Sequence, residues 1–161
     1  MNVIRRSVST PRLHSFGEPL GEPQNPDFEA GDREPASETK KMKIIVIDDE
    51  ALIADTVAEI LKHEGLDATP VSNPAEAIRL AQTMQPDVVL SDVIMPGMNG
   101  IEAGIKIREI VPRCRVILFS GQAATVDLLE KARKQGHHFD ILGKPVKPEQ
   151  LISAIRAGSH S

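Results

Sequence analysis

Five short apolar runs alternate with five amphipathic stretches between residues 42 and 157, and this alternation constrains the fold more than any other feature of the chain. Continuously apolar runs are typical of strands buried on both faces of a parallel sheet, and the intervening stretches repeat apolar residues at helical spacing. Because right-handed crossovers join parallel strands, the pattern predicts an α/β fold with a doubly wound five-stranded parallel sheet flanked by five helices. The predicted strands span 43–48, 67–72, 87–92, 115–120 and 138–143, and the predicted helices span 50–64, 74–84, 100–110, 122–135 and 148–157.

Residues 1–41 do not share this pattern. They carry five prolines and three glycines, and their apolar residues show no period. Such a segment buries too little surface to offset its chain entropy, so we predict a disordered N-terminal extension followed by one folded domain at 42–158. Three interpretations of the extension stay open. It is a tether or docking arm, it has no structural role, or translation begins at Met42, where "MKIIVIDDE" opens directly with a strand. The last two are favoured over the arm.

Composition argues against several classes of function. The formal net charge of −4 offers no electrostatic footprint for nucleic acid or for an anionic membrane surface. No run approaches the ~18 apolar residues of a membrane span, and the N-terminus lacks the apolar core of a secretory signal. Cys114 is the only cysteine and adjoins a predicted strand, so we expect packing rather than catalysis from it. We therefore expect a cytoplasmic protein with no nucleic-acid or membrane contacts.

Chemically capable side chains lie at the carboxyl ends of four of the five predicted strands. They are Asp48, Asp49 and Glu50 at the end of the first strand, Asp92 at the end of the third, Ser120 at the end of the fourth and Lys144 shortly after the fifth. After the second strand, Ser72 and Asn73 are interpreted as the cap of the next helix, with Pro74 at its first position and Glu76 three residues beyond the cap. In open parallel sheets, sites form beyond the carboxyl ends of the strands, so we expect the four groups to meet at one edge.

Carboxylates from two strand ends would repel one another at this edge. A pair ~4 Å apart repels by about 4 kcal/mol at an effective dielectric near 20. Either some of these acids are protonated, with raised pKa values, or a cation lies among them. Hard oxygen ligands that leave room for water and phosphate suit Mg²⁺, and the backbone carbonyl of Ile94 is the further ligand expected from the loop after Asp92.

A carboxylate beside Mg²⁺ can attack a phosphoryl group and form an acyl phosphate. Asp92 is the best nucleophile in the sequence, because it stands alone, ends an expected central strand and precedes a turn. The hydroxyl of Ser120 can donate to one phosphoryl oxygen, and the ammonium of Lys144 can pair with another.

Four motifs, taken together and in order, resemble the receiver domain of two-component response regulators from residue 42 to about residue 157. They are "DDE" at 48–50, "SDVIMPGMNG" at 91–100, "FSGQ" at 119–122 and "GKP" at 143–145. No motif is specific alone. The resemblance implies a flavodoxin-like sheet of order 2-1-3-4-5 and a cis peptide bond between Lys144 and Pro145. It also implies Asp92 as phosphoacceptor, Asp48 and Asp49 as the acidic pair for Mg²⁺, Ser120 as switch hydroxyl and Lys144 as phosphate-sensing lysine.

The same resemblance implies a binding module rather than an enzyme. The donor would be a phosphohistidine of a sensor histidine kinase or of a histidine phosphotransfer protein. Because only "GSHS" follows the last predicted helix, we expect a stand-alone, chemotaxis-regulator-like receiver. Phosphorylation would change the face built by the fourth helix, fifth strand and fifth helix, which a downstream protein target would bind.

The sequence departs from the family in two ways. The segment from Gly136 to Lys144 is one residue longer than the common pattern, and one position differs in residue type. Receivers usually carry Tyr or Phe three residues before the lysine, and this ring turns inward when the hydroxyl moves; here the position holds Ile141. Phe139 is expected in the core, and His137 and His138 are expected in a solvated turn. An aromatic switch is therefore not expected.

Three other functions remain to be distinguished. A haloacid dehalogenase-type aspartyl-phosphate phosphatase also uses Asp, Lys and Mg²⁺, but its nucleophile ends the first strand in a D-x-D pattern, which "DDEA" lacks. A phosphorylation-independent adaptor would keep the fold without the chemistry. A flavodoxin-like FMN binder would need a phosphate-binding first loop, where Asp48, Asp49 and Glu50 would repel phosphate unless a cation intervened.

Overall fold

The computed structural model describes residues 39–121 and 123–158, in which five strands alternate with five helices. The strands are β1 (Lys43–Ile47), β2 (Asp67–Val71), β3 (Val88–Asp92), β4 (Arg115–Ser120) and β5 (Asp140–Gly143). The helices are α1 (Ala51–His63), α2 (Pro74–Met84), α3 (Gly100–Ile110), α4 (Ala124–Lys134) and α5 (Pro148–Ala157). The prediction of five β-α units is confirmed.

All strand pairs are parallel, and the sheet order is β2-β1-β3-β4-β5. The predicted doubly wound, flavodoxin-like topology is therefore confirmed, with β3 at the centre. The strand order reverses between β1 and β3, and a crevice forms beyond the carboxyl ends of two strands at such a switch point. Asp48 follows one of these strands and Asp92 ends the other.

Side chains alternate between the two faces of each strand, so the sheet separates two apolar cores. Ile45, Val89 and Leu118 belong to the core that also receives buried residues of α2 and α3. Ile44, Leu90 and Ile117 belong to the core beneath α1 and α5. Each of these six side chains is fully buried, and burial of one such side chain contributes about 1.5–3 kcal/mol. This rigid sheet holds the loops at its carboxyl edge.

Apolar periodicity places Ile53, Val57, Ile60 and Leu61 of α1 on one inward stripe, and of these only Leu61 is fully buried. The other buried residues of the helix are Ala54 and Ala58, and Ile53 is 42% exposed. Because alanine side chains are small, the helix backbone can lie close to the sheet on this side. This orientation of α1 leaves the larger Ile53 at the surface.

The cap predicted for α2 is present, but the reciprocal capping box lies at the start of α3. Asn73 Oδ1 accepts a hydrogen bond from the Ala75 amide at 2.8 Å, which confirms the predicted cap of α2. The reciprocal capping box, however, lies at Asn99 and Glu102 of α3, where each side chain accepts from the other residue's amide.

Strand β5 begins two residues later than predicted. The carbonyl of His138 accepts a hydrogen bond from Arg108 Nη1 at 2.6 Å. Ladder pairing with β4 begins at Asp140, opposite Ile117. The start predicted for the fourth helix, Gln122, lies outside the described residues.

Residues 1–38 also lie outside the described residues, so the expectations for the 1–41 extension stay predictions. Within the described ranges, no helix is both long enough and apolar enough to cross a membrane.

Candidate functional site

Asp48 lies buried directly after β1, with only 6% of its surface exposed. Its Oδ1 accepts a hydrogen bond from the Glu50 amide at 2.9 Å, which holds the carboxylate at the turn into α1. Burial raises the pKa of Asp48 above its ordinary value; the Glu50 hydrogen bond opposes this, and the carboxylates of Asp92 and Asp49 raise the pKa further. Acids from two strand ends therefore act on one another, as the sequence predicted.

Asp92 and Lys144 form an ion pair across the carboxyl edge. Lys144 Nζ lies 2.7 Å from Asp92 Oδ2. The second carboxylate oxygen, Oδ1, accepts from the amide of Ile94 at 3.3 Å. The Asp92 side chain is 17% exposed, so it is accessible from solvent at a site that still shields it on most sides.

The backbone brings Lys144 to this position. Its amide donates to the Ser120 carbonyl at 2.9 Å, and the Lys144–Pro145 peptide is cis, as expected. Gly121 leaves room for the lysine stem, because a Cβ on that glycine would lie 3.2 Å from Lys144 Cβ and 3.3 Å from Cδ.

Gly100 allows α3 to begin against the backbone of Asp92. A Cβ at this glycine would lie 2.0 Å from the Asp92 carbonyl oxygen and 2.8 Å from Ser91 Oγ. Its amide donates to the Val93 carbonyl at 2.9 Å, and Ser91 Oγ donates to the Asp92 carbonyl at 3.0 Å. Sequence reasoning placed the start of the third helix at Gly100 but missed this close approach.

Ser120 ends β4 beside the ion pair and is half-buried. Its hydroxyl is hydrogen-bonded to the hydroxyl of Thr125, a buried residue in the first turn of α4. Sequence reasoning did not single out Thr125, because no local pattern reveals which helix residue faces the end of a strand.

The carboxylate oxygens at this edge are of the type that hard divalent cations bind. Within residues 39–121 and 123–158, no three His, Cys, Asp or Glu side chains are placed to hold one metal ion. Mg²⁺ does not need such a cage, because it keeps several waters and is commonly held by one or two carboxylates. Burial is the largest cause of the raised Asp48 pKa, and the carboxylates of Asp92 and Asp49 add to it.

Ile141 and Phe139 occupy different environments. Ile141 is 44% exposed on β5. Phe139 packs against the core of α2 and α3, with its Cε1 3.2 Å from the position of a Cβ at Gly104 and its ring 4.7 Å from the Arg108 guanidinium carbon. Phe139 is partly buried at the edge of this core, so the expectation of a core Phe139 is met only in part.

Cys114 is buried and free, as expected for packing material. Burial raises the pKa of its thiol to about 12. A thiol with this pKa is a poor nucleophile at neutral pH.

Two apolar grooves flank the carboxyl edge. The α1–α5 groove, about 510 Å³, runs from Ile53 and Val57 to Val146 and Leu151 and borders Asp48 and Lys144. The α4–β5 groove is smaller, about 300 Å³. It is lined by Val126, Leu129, Glu130, Arg133, His137, His138, Phe139 and Ile141.

Comparison with known proteins gives a consistent family match. A family model described as "Response regulator receiver domain" matches residues 44–156. The DNA-binding response regulator MtrA of Mycobacterium tuberculosis is 28% identical over 120 residues, which cover 74% of this chain and 51% of that protein. The chain therefore matches about half the length of this relative.

Two further relatives match over most of their own length. The chemotaxis protein CheY of Thermotoga maritima is 28% identical over 117 residues, which cover 70% of this chain and 93% of that protein. The crystal structure of a response regulator receiver domain protein from Clostridium thermocellum is 32% identical in sequence, with a TM-score of 0.64. The match covers 72% of this chain and 92% of the Clostridium chain.

Proposed function

Because the chain belongs to the response regulator receiver family, we propose that Asp92 accepts a phosphoryl group and that this modification changes a surface bound by another protein. The coarse function, a receiver domain of a two-component response regulator, follows from the family. The observation that supports the chemistry is the joint placement of Asp92, Lys144 and Asp48, with the ion pair at 2.7 Å and the Asp48 pKa raised in part by Asp92.

The donor in this proposal is a phosphohistidine of a sensor histidine kinase or histidine phosphotransfer protein. A carboxylate oxygen of Asp92 attacks phosphorus, and the bond between phosphorus and nitrogen breaks. The electron pair returns to the donor's protonated imidazole, which leaves as the neutral base. Lys144 then pairs with one phosphoryl oxygen, and the Ser120 hydroxyl donates to another.

Asp48, Asp49, Asp92 and the Ile94 carbonyl are the proposed Mg²⁺ ligands. Bound Mg²⁺ supplies positive charge that offsets the charge on the phosphoryl oxygens. Asp49 is exposed and Asp48 is buried, so Asp48 would be the more rigid ligand. The Ile94 amide donates to Asp92 Oδ1, so the backbone of Ile94 lies at the same sheet edge as Asp92.

The surface proposed to change is the face of α4, β5 and α5, with the α4–β5 groove at its centre. Val126 and Ile141 are 52% and 44% exposed there, which leaves apolar area available to a downstream protein. A phosphoryl group adds roughly −1.5 to −2 charges at neutral pH, enough to bias a two-state element. We also propose that the protein lies in the cytoplasm and that this domain acts by binding and not by catalysis.

The expected absence of nucleic-acid contact also stays a proposal. MtrA is named as a DNA-binding protein, and about half of its length lies outside the match with this chain. The net charge of −4 is the observation that argues against direct DNA contact by this chain.

Phosphorylation by acetyl phosphate tests the proposal. With Mg²⁺, the wild-type protein should shift on a phosphate-affinity gel, and Asp92→Ala should abolish the shift. Asp55→Ala, which removes an exposed acid from α1, is the matched control and should shift as the wild type does.

Peptide mapping of the labelled protein decides between the remaining functions. A label on Asp92 supports the receiver chemistry. A label on Asp48 would indicate the phosphatase alternative, and no label on wild-type protein would indicate a phosphorylation-independent adaptor.

A further inference from the structure

Polar side chains buried in the described part of the chain are few, and all of them border the candidate site. They are Asp48, Ser91 and Thr125, at 6%, 1% and 1% exposure. Asp48 interacts with Asp92, and Ser91 donates to the Asp92 carbonyl. Thr125 alone among them belongs to a helix, and its hydroxyl bonds to Ser120. The Ser120–Thr125 hydrogen bond thus joins the end of β4 to the first turn of α4.

Phosphorylation of Asp92 would fix which of the two hydroxyls donates in this hydrogen bond. Each hydroxyl has one proton to donate, and each can accept. In the unmodified protein, either Ser120 or Thr125 can be the donor. If Ser120 donates to a phosphoryl oxygen on Asp92, its proton is committed, and Thr125 must donate to Ser120 to keep the bond. Movement of Ser120 toward the phosphoryl group therefore pulls on Thr125.

The first turn of α4 is suited to follow such a movement. The N-cap residue of the helix, Ala123, makes no side-chain capping bond, whereas Asn73 and Asn99 cap α2 and α3. Val126, the residue after Thr125, lies 52% exposed in the α4–β5 groove beside Ile141. A shift of this turn would change the relative position of Val126 and Ile141.

We propose that Thr125 is a positioning residue that transmits the displacement of Ser120 to α4 and to the α4–β5 groove. This inference rests on the proposed phosphorylation of Asp92. It assigns to a hydroxyl pair the coupling that an aromatic ring at position 141 would otherwise provide, since Ile141 is aliphatic and exposed.

Methyl NMR of the full chain with beryllofluoride and Mg²⁺ tests this coupling. Ile94, next to Asp92, reports formation of the phosphoryl-like complex, and Val126 and Ile141 report the groove. In wild-type protein, all three methyl signals should move. In Thr125→Val, which keeps the side-chain shape but removes the hydroxyl, Ile94 should still move, while the Val126 and Ile141 displacements fall to about half or less.

Two further variants separate the hydroxyl from the packing of the side chain. Thr125→Ser keeps the hydroxyl and should restore the wild-type displacements. Thr56→Val removes an exposed threonine hydroxyl that bonds the Leu52 carbonyl in α1, and it should leave all three signals unaffected.

The outcomes distinguish this inference from the function on which it rests. If Ile94 does not move in wild-type protein, phosphorylation of Asp92 is wrong. If Ile94 moves and Thr125→Val retains full groove displacements, the Thr125 coupling is wrong. If Thr125→Val fails to fold, Thr125→Ser still decides, because its loss of groove displacement would show that the methyl group and not the hydroxyl carries the effect.

Discussion

Gly100 sets the distance between α3 and the strand that carries Asp92. Because a Cβ would lie 2.0 Å from a backbone oxygen, no rotation of a neighbouring side chain can make room for it. Insertion of even one methyl group must therefore move the start of α3 or the backbone of Asp92.

Gly100→Ala should reduce the free energy of unfolding by about 1–3 kcal/mol, because overpacking outweighs the better helix propensity of Ala. Urea unfolding monitored by circular dichroism measures the change. Gly143→Ala is the matched control, since nothing lies within 4 Å of its Cβ position, and it should alter stability by less than about 1 kcal/mol. Equal stability of Gly100→Ala and wild type would contradict the close approach.

Asp48 should make the metal-free protein less stable as pH rises. Its pKa is raised in the folded state above the ordinary value of 3.8, so the unfolded chain releases this proton first. Stability contributed by the protonated folded state is therefore present at low pH and is lost as pH rises through the folded-state pKa.

Asp48→Asn should be more stable than wild type at neutral pH in metal-free buffer, since the amide oxygen can still accept from Glu50 and carries no charge. The difference should shrink as pH falls toward 3.8. Urea unfolding between pH 3.8 and neutral pH measures this difference in stability, with Asp55→Asn as a control for loss of an exposed charge. If Asp48→Asn were less stable than wild type at every pH, the inference that the folded state raises the pKa of Asp48 would be wrong.

Sequence reasoning identified the side chains at the strand ends but not the residues that contact and position them. Asp48, Asp92, Ser120 and Lys144 follow predicted strands, and parallel topology carries strand ends to one edge. Thr125 is one of two polar residues in the first turn of α4, the other being Asp127. Its contact with Ser120 depends on how α4 is rotated against the sheet, which no local pattern specifies.

At the scale of the elements, the ends predicted for α1 and α4, residues 64 and 135, lie one residue beyond the observed ends, His63 and Lys134. Gly65 and Gly136 follow these helices with positive φ angles of 82° and 88°, conformations that favour glycine after a helix. The inward face of α1 was predicted less well, because the buried Ala54 and Ala58 are only weakly apolar in sequence and Ile53 dominates the periodicity.

The capping box of α3 should contribute to the stability of the loop that carries Asp92. Asn99→Ala removes the acceptor for the Glu102 amide at 2.9 Å and should lower the free energy of unfolding by about 0.5–2 kcal/mol. Asn99→Ser supplies another hydroxyl acceptor and should recover most of the loss. Thermal and urea unfolding of the three proteins give the comparison; an Asn99→Ala protein as stable as wild type would mean that the cap contributes nothing.

At the scale of the whole molecule, a cation at the carboxyl edge should stabilise the entire domain, because it binds the assembled strand ends and not the unfolded chain. Mg²⁺ at ten times its dissociation constant should add about 1.4 kcal/mol to the free energy of unfolding. Asp48→Asn should lose most of this gain. Unfolding with Mg²⁺ and with NaCl at equal ionic strength separates binding from screening, and equal curves would argue against a magnesium site.

The amino-acid sequence by itself determined the order and type of the elements and the chemistry at the ends of the strands. Apolar periodicity is local, and parallel strands must place their carboxyl ends at one edge, so neither property needs the packed structure.

Only the tertiary structure decided how those side chains are supported. The Gly100 approach to Asp92, the Ser120–Thr125 bond and the exposure of Ile53 each depend on helix rotation and on interatomic distances within about 1 Å. Such distances arise when residues far apart in the chain pack together, and a one-dimensional pattern does not contain them.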